Sequence, residues 1–239
     1  MKKTLSLVLA LLMVFAVVLT GCQNGSTPAG DGETVEKISL ATGGNTGTYY
    51  AFTTAACQIL GTDTYSFEVL STGGSQANIE GIEDGDYHMG IVQNDVMNYA
   101  YEGSNGFNGQ IQSFSAIGCV YPEVCQIIAT KASGIETVAD LKGKNVAVGD
   151  VGSGVYYNAV QILEAAGLDI DKDINKVTAS FGDSATQLKD GSIDAAFITA
   201  GAPTTAITDL ATTTNVVLVD LGKDVIDALT AEYSFYEVF

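Results

Sequence analysis

Lys37-Ile38-Ser39-Leu40-Ala41 runs straight into Thr42-Gly43-Gly44-Asn45-Thr46-Gly47-Thr48 and then Tyr49-Tyr50-Ala51-Phe52. The first five residues alternate in polarity and read as a strand. The glycine- and threonine-rich stretch reads as a turn, and residues 49–60 read as a helix. A helix opening directly from a strand end is half of the βαβ unit from which parallel sheets are made. The same grammar recurs outward from this point. Tyr65, Phe67 and Val69 alternate as a second strand, which ends at Ser71-Thr72-Gly73-Gly74. A helix beginning near Ser75 then carries Ala77, Ile79 and Ile82, residues 88–93 form a third strand, and residues 94–101 the next helix.

Residues 115–129 are long and apolar with Pro122 in the middle, which predicts two strands broken there. A second α/β run follows. It has a short helix at 137–141, a strand at 145–148, the loop Gly149-Asp150-Val151-Gly152-Ser153-Gly154 and a helix at 155–166. Strands at 176–179, 193–199 and 216–221 alternate with helices at 184–189, after Gly201-Ala202-Pro203, and at 224–231. No solenoid period is visible. The fold class expected is α/β. The final residues, Ser234-Phe235-Tyr236-Glu237-Val238-Phe239, are aromatic where chain ends are usually polar, so a truncated C-terminus is expected.

Three glycine-rich loops, at 43–48, 73–75 and 152–154, follow strands and open helices. A helix N-terminus carries unpaired N–H groups and partial positive charge, which suits an anion. Thr46, Thr48, Ser75 and Ser153 add hydroxyls. Each loop alone is equally a βα turn with a Ser or Thr cap. Three together, with Gly201-Ala202-Pro203 at the same point of another unit, favour a shared cleft at the strand ends.

Composition narrows the chemistry. The chain has 239 residues and a net charge of −18, and all ten basic residues are Lys. Nucleic acid, which needs clustered basic side chains, is excluded as a partner. Without Arg, the usual bidentate clamp for a carboxylate is missing, so an anionic guest must be met by backbone amides, hydroxyls, side-chain amides or Lys. The only His, His88, lies inside a predicted strand and reads as structural. No G-x-S-x-G elbow, zinc spacing, Walker loop or Rossmann order occurs, so neither an enzyme nor a cofactor or metal is expected. Acids such as Glu83, Asp84 and Asp150 read as solvated surface. Cys57, Cys119 and Cys125 allow at most one bridge; Cys119 and Cys125 pair if the segment between them folds back, or all three are small buried hydrophobes.

The N-terminus reads as export. Met1-Lys2-Lys3 precedes an apolar run over residues 5–19, broken only by Ser6. Leu19-Thr20-Gly21-Cys22 resembles the lipobox of bacterial lipoproteins, which implies cleavage before Cys22 and lipidation of its thiol. Residues 1–21 are then a signal peptide, whose removal takes two Lys and leaves a charge of −20. Residues 22–36, rich in Gly, Ser, Thr and acids, read as a flexible tether. The expected location is the extracytoplasmic face of the cell membrane, held by the lipid anchor.

Several segments together resemble the TAXI family of solute receptors, which serve TRAP (tripartite ATP-independent periplasmic) transporters. Thr42-Gly43-Gly44-Asn45-Thr46-Gly47-Thr48-Tyr49-Tyr50 resembles the family's opening T-G-G-x-x-G-x-Y-Y signature. The likeness continues through Ser71-Thr72-Gly73-Gly74-Ser75, Asn78, Gly90-Ile91, Gln93, Asp95 and Val120-Tyr121-Pro122-Glu123, where the family has Leu in place of Val120. Asp140-Leu141-Lys142-Gly143-Lys144, Val151-Gly152-Ser153-Gly154, residues 188–195 and Gly201 with Pro203 complete it. The resemblance implies a two-lobed periplasmic-binding-protein fold of type II that closes on a small carboxylate, of the glutamate, glutamine or 2-oxo-dicarboxylate class. It divides the body into lobe one (37–124), lobe two (125–222) and a start of the return to lobe one (223–239); family members normally run several dozen residues further. Carried over, the ligand residues are Gly44, Thr46, Gly47, Thr48, Tyr49, Ser75, Asn78, Gln93 and Asp95 from lobe one. Gly152, Ser153, Gly154, Gly201 and Pro203 come from lobe two. The implied partner is a TRAP permease. A receptor for an ABC importer or a sensor kinase is the alternative on the same fold, and a secreted enzyme or an adhesive lipoprotein are the remaining rivals.

Overall fold

A computed structural model describes residues 35–238. The expected signal peptide, the lipidation site Cys22 and all but the last two residues of the expected tether lie outside the described residues. Glu36, the last of them, already opens the first strand.

The alternation read along the first hundred residues builds a small parallel sheet. Strand β1 (Glu36–Ala41) lies between β2 (Tyr65–Leu70) and β3 (Met89–Gly90), parallel to both. Helix α1 (Thr48–Leu60) joins the first two strands and α2 (Ser75–Glu83) the second and third; α3 (Asn94–Glu102) follows. The third strand is shorter than the 88–93 expected because only Met89 and Gly90 find partners on β1. His88 fixes its approach: the Ser39 amide donates to His88 Nδ1 at 3.1 Å, and the His88 amide donates back to Ser39 Oγ at 3.1 Å. An imidazole nitrogen that accepts from backbone is tied to structure.

The second sheet has five strands in the order β6 (Asn175–Val177), β5 (Asn145–Ala147), β7 (Ala195–Ala200), β4 (Val124–Thr130), β8 (Val216–Leu218). Here β4 runs antiparallel to both neighbours while β5, β6 and β7 are mutually parallel. Adjacent residues on β4 serve opposite faces, as the strand period requires. Ile127 packs with Val146, Phe197, Ile162 and Leu163 of α4 (Val155–Ala165), and with Leu229 of α7 (Lys223–Glu232). Ile128 packs on the other face with Ala196, Ile198, Leu188 of α5 (Phe181–Asp190) and Leu210 of α6 (Thr205–Ala211). Every residue of β7 is buried, the mark of a strand covered on both sides.

Two expectations change. Residues 115–122 form no strand and only the part after Pro122 does; β4 pairs on both edges with β7 and β8, and neither of these partners is the preceding segment. The helix expected at 137–141 is a 3₁₀ turn, Val138–Leu141, closed by a capping box between Thr137 and Asp140. Cys57, Cys119 and Cys125 are free thiols; Cys119 is exposed and Cys125 sits on β4 beside Thr199. Among the described residues no helix is long and apolar enough to cross a membrane.

Candidate functional site

The carboxyl ends of strands from both sheets face one cleft that opens to solvent. From the first sheet come Gly43, Gly44, Gly47, Thr48 and Tyr49 after β1, then Gly73, Gly74 and Ser75 after β2, and Gln93 after β3. From the second come Glu123 before β4, Asp150, Ser153 and Val155 after β5, Ser180 and Phe181 after β6, and Thr199 and Ala200 on β7. Parallel strands put their βα loops on the same side, so this gathering follows from topology.

Helix starts surround the cleft, but they are not equally free. Gln76 and Ala77 at the start of α2 donate their amides to the Gly152 carbonyl, at 2.9 and 3.1 Å. The Val155 amide at the start of α4 is taken by Ser153 Oγ at 3.2 Å, and that of Asp183 by Ser180 Oγ at 3.2 Å. The first turn of α1 is different. Gly47 carries no capping side chain, and the helix itself offers no acceptor to the amides of Thr48, Tyr49 and Tyr50. These are the donors open to a guest.

The same contacts hold the two sides of the cleft together. Besides the Gly152 carbonyl, Thr48 Oγ1 donates to the Gly201 carbonyl at 3.0 Å, and the Ala206 amide donates to the Thr46 carbonyl at 3.3 Å. Gly73 is required at its place: a Cβ there would stand 1.9 Å from the Val151 carbonyl oxygen. Gly154 is also confined, but by side chains, its absent Cβ falling 2.3 Å from Gln93 Oε1.

Behind the floor lies a buried polar network. Gln93 Nε2 donates to Asn158 Oδ1 at 2.9 Å and reaches Asp95 Oδ1 at 3.3 Å. Asn158 Nδ2 donates to Asp95 Oδ2 at 3.1 Å and to Tyr236 Oη at 2.9 Å, while Thr199 Oγ1 donates to Asn158 Oδ1 at 3.0 Å. The Tyr236 hydroxyl donates to Gln161 Oε1 at 2.7 Å, and Gln161 Nε2 donates to Tyr99 Oη at 2.7 Å. Burial raises the Asp95 carboxyl above its ordinary range, opposed by bonds from the Val96 amide, Asn158 and Gln93.

The expected ligand residues therefore divide. Gly44, Gly47, Thr48, Tyr49, Ser75, Gln93 and Ser153 line the cleft together. The others surround it without lining it. Asn78 is fully buried and ties three segments, donating to the carbonyls of Thr42 and Ile91 and accepting from Thr72 Oγ1. Asp95 lies in the network beneath Gln93. Thr46, Gly152 and Gly201 supply carbonyls to the contacts across the cleft, and Gly154 packs on Gln93. Pro203 lines a separate groove with Ile128, Ile207 and Val216.

Sequence reading missed Glu123, Asp150, Ser180, Phe181 and Thr199. Glu123 matters most. Tyr49 Oη donates to its Oε2 at 2.8 Å, and the Tyr49 hydroxyl also lies 3.4 Å from Ser75 Oγ. Burial, and secondarily the charge of Asp95, push the Glu123 carboxyl up to about 7 against the lowering by Tyr49. The signal available was an acid alone in an otherwise apolar segment, directly after Tyr121-Pro122. For Ser180 it was Asp183 three residues on, a helix-start pattern.

Among the described residues Glu123 and Asp150 are the charged side chains lining the cleft, and no Lys or His joins them. Two like charges 4 Å apart repel by about 4 kcal/mol at an effective dielectric of 20. A group with a pKa near the ambient pH takes up a proton at a cost well below that. An anion at the α1 amides shares the cleft with Glu123 and Asp150, and a protonated Glu123 or a positive group beside it lowers the cost.

A sequence profile of the NMT1-like family matches residues 40–239. The chain belongs to the NMT1-like family. Three solved structures resemble this member in fold. The alkanesulfonate-binding protein SsuA from Xanthomonas axonopodis pv. citri, bound to MOPS, is 16% identical, with a TM-score of 0.54 over 78% of this chain and 61% of that one. An ancestral arginine-binding protein bound to arginine is 15% identical, with a TM-score of 0.53 over 83% and 92%. An ABC uptake substrate-binding protein from Streptococcus pneumoniae with bound histidine is 16% identical, with a TM-score of 0.54 over 82% and 87%. The shared architecture is the two-lobed, type II periplasmic-binding-protein fold. This NMT1-like chain spans 61% of the length of the alkanesulfonate-binding protein it matches.

Proposed function

We propose that the chain is an extracytoplasmic solute receptor that captures a small carboxylate between two lobes, residues 37–124 and 125–222, with residues 223–239 returning toward the first. The guest belongs to the glutamate, glutamine or 2-oxo-dicarboxylate class. The receptor is held to the membrane through a lipidated Cys22 and hands its guest to a TRAP-type permease. The observation that carries this reading is the meeting, at one cleft, of strand-end loops from both sheets around the unused amides of α1. Backbone donors at a helix start bind a carboxylate without a guanidinium, which suits a chain with no Arg. The TAXI-like motifs, several of which form the cleft walls, support the TRAP partner.

Calorimetric titration of the purified chain with L-glutamate, L-glutamine, 2-oxoglutarate and a set of neutral sugars tests the ligand class. Binding by at least one carboxylate and by no sugar is expected; a sugar-only response rejects the class. Mass spectrometry of the membrane-extracted protein tests the anchor, with an acylated Cys22 as first residue expected. A second reading replaces the TRAP permease by an ABC importer, favoured by the Streptococcus pneumoniae structure named above as an ABC substrate-binding protein. Uptake restored by one permease class and not by the other decides between them.

A further inference from the structure

We propose that the cleft selects its guest as a zwitterion, an α-amino acid in preference to the matching 2-oxo acid, with Glu123 accepting from the guest's ammonium group while the first-turn amides of α1 hold its carboxylate. This rests on the receptor reading above and adds to it a specificity-determining residue and a proton balance.

The geometry leaves half of Glu123 for a ligand. Oε2 is engaged by the Tyr49 hydroxyl, whereas Oε1 has no hydrogen-bond partner among the described residues, and Glu123 lines the cleft. Tyr49 is itself the second residue of α1, so one residue joins the amide donors and the carboxylate acceptor on the same wall. Ser75 Oγ, which accepts from the Gln93 amide at 3.0 Å, stands beside the Tyr49 hydroxyl and adds a further acceptor oxygen. A site built for a doubly anionic oxo acid has use for donors at this position, and a carboxylate is the wrong group. Among the described residues no cationic side chain lines the cleft to relieve it. The groups facing Glu123 are Tyr49 from α1, Tyr121 from the preceding segment, Cys125 from β4 and Asp95 from α3, and Asp150 also lines the cleft; each is neutral or negative. The missing positive charge is therefore the guest's own.

The consequence is linkage between binding and protons. An ammonium beside Glu123 favours the carboxylate form and expels the proton that burial helps to retain near neutral pH. A 2-oxo acid does the reverse and must bring a proton in. Amino-acid affinity then rises with pH through the neutral range, and 2-oxo-acid affinity falls.

The purified chain is titrated calorimetrically with L-glutamate, L-glutamine and 2-oxoglutarate at pH 6, 7 and 8, each in phosphate and in Tris, whose ionisation enthalpies differ. The expected result is amino-acid affinity rising by up to about 10-fold between pH 6 and 8, the change a single group with a pKa near 7 produces. Proton release at pH 7 should appear as a difference between buffers, and 2-oxoglutarate should bind at least about 10-fold more weakly than the amino acids at pH 8. In Glu123→Gln, which keeps an acceptor for Tyr49, both the pH dependence and the preference should vanish. Glu123→Asp, which keeps the charge, should retain proton release, and the wild-type buffer comparison stands even if a variant fails to fold. Tighter binding of 2-oxoglutarate with proton uptake overturns the zwitterion assignment and leaves the carboxylate receptor intact. Amino-acid binding without proton release overturns the role of Glu123. Silence from all three probes overturns both this inference and the reading beneath it.

Discussion

Glu123 is a carboxyl group held where a carboxylate is costly. Its folded pKa of about 7 exceeds the ordinary 4.5, so between those values the folded chain binds more protons than the unfolded one. Stability that this group contributes is fully present below about pH 4.5 and is lost as pH rises through about 7. Glu123→Gln removes the titration while keeping the bond from Tyr49. The unliganded variant should melt with the wild type near pH 4.5 and several degrees above it at pH 8. Thermal denaturation followed by circular dichroism across that range checks this, and parallel curves at every pH would rule it out. Asp95, also raised by burial, adds a slope of the same sign that the substitution leaves in place, so the difference between the two proteins isolates Glu123.

At the scale of elements, the strand-turn-helix grammar was legible because each unit announces itself locally. A period of two ends in Gly and Thr, and a helical period follows. All three glycine loops singled out from the sequence reach the cleft for this reason. What escaped was decided by partners far along the chain. Residues 115–122 carry a strand's composition and form none, since a strand needs a partner and no strand of either sheet pairs with this segment. Asn78, Asp95 and Gly152 sit in the right loops yet turn toward backbone and network, and no local pattern says which way a polar side chain faces. The α2 start is the clearest instance. It was read as an anion site, but the Gly152 carbonyl occupies its amides. That contact depends on Gly73, where a methyl group would meet the Val151 carbonyl oxygen. Gly73→Ala should hold the two loops apart, weaken L-glutamate or L-glutamine binding by at least about 10-fold, equivalent to about 1.4 kcal/mol, and shift the melting temperature little. Unchanged affinity in titration would mean the loops do not govern the bound state.

For the whole molecule, the polar network under the cleft and the contacts across its rim are separate means of joining the same parts. The rim is made of backbone carbonyls met by backbone amides and the Thr48 hydroxyl, and it can exchange those partners for water when the cleft opens. Asn158 cannot. It is buried, and it bonds Gln93, Asp95, Thr199 and Tyr236, groups drawn from both sheets and from the last described turn. Removing it leaves several polar atoms without partners, each at a cost of about 1–3 kcal/mol. In a chain of this size about 1 kcal/mol moves the melting temperature by about 2–4 °C. Asn158→Ala should therefore lower the melting temperature by roughly 4–12 °C, that conversion applied to a loss of about 2–3 kcal/mol. Because a ligand shifts closure only by its difference in affinity for the two states, a network that persists in both contributes nothing to that difference. Asn158→Ala should thus leave ligand affinity within about 3-fold of wild type at temperatures where it is folded, the inverse of what Gly73→Ala does. Melting curves and titrations of both variants, measured side by side, place each contact. If Asn158→Ala loses affinity in step with stability, the network is part of the closing surface, and the floor of the cleft moves with its rim.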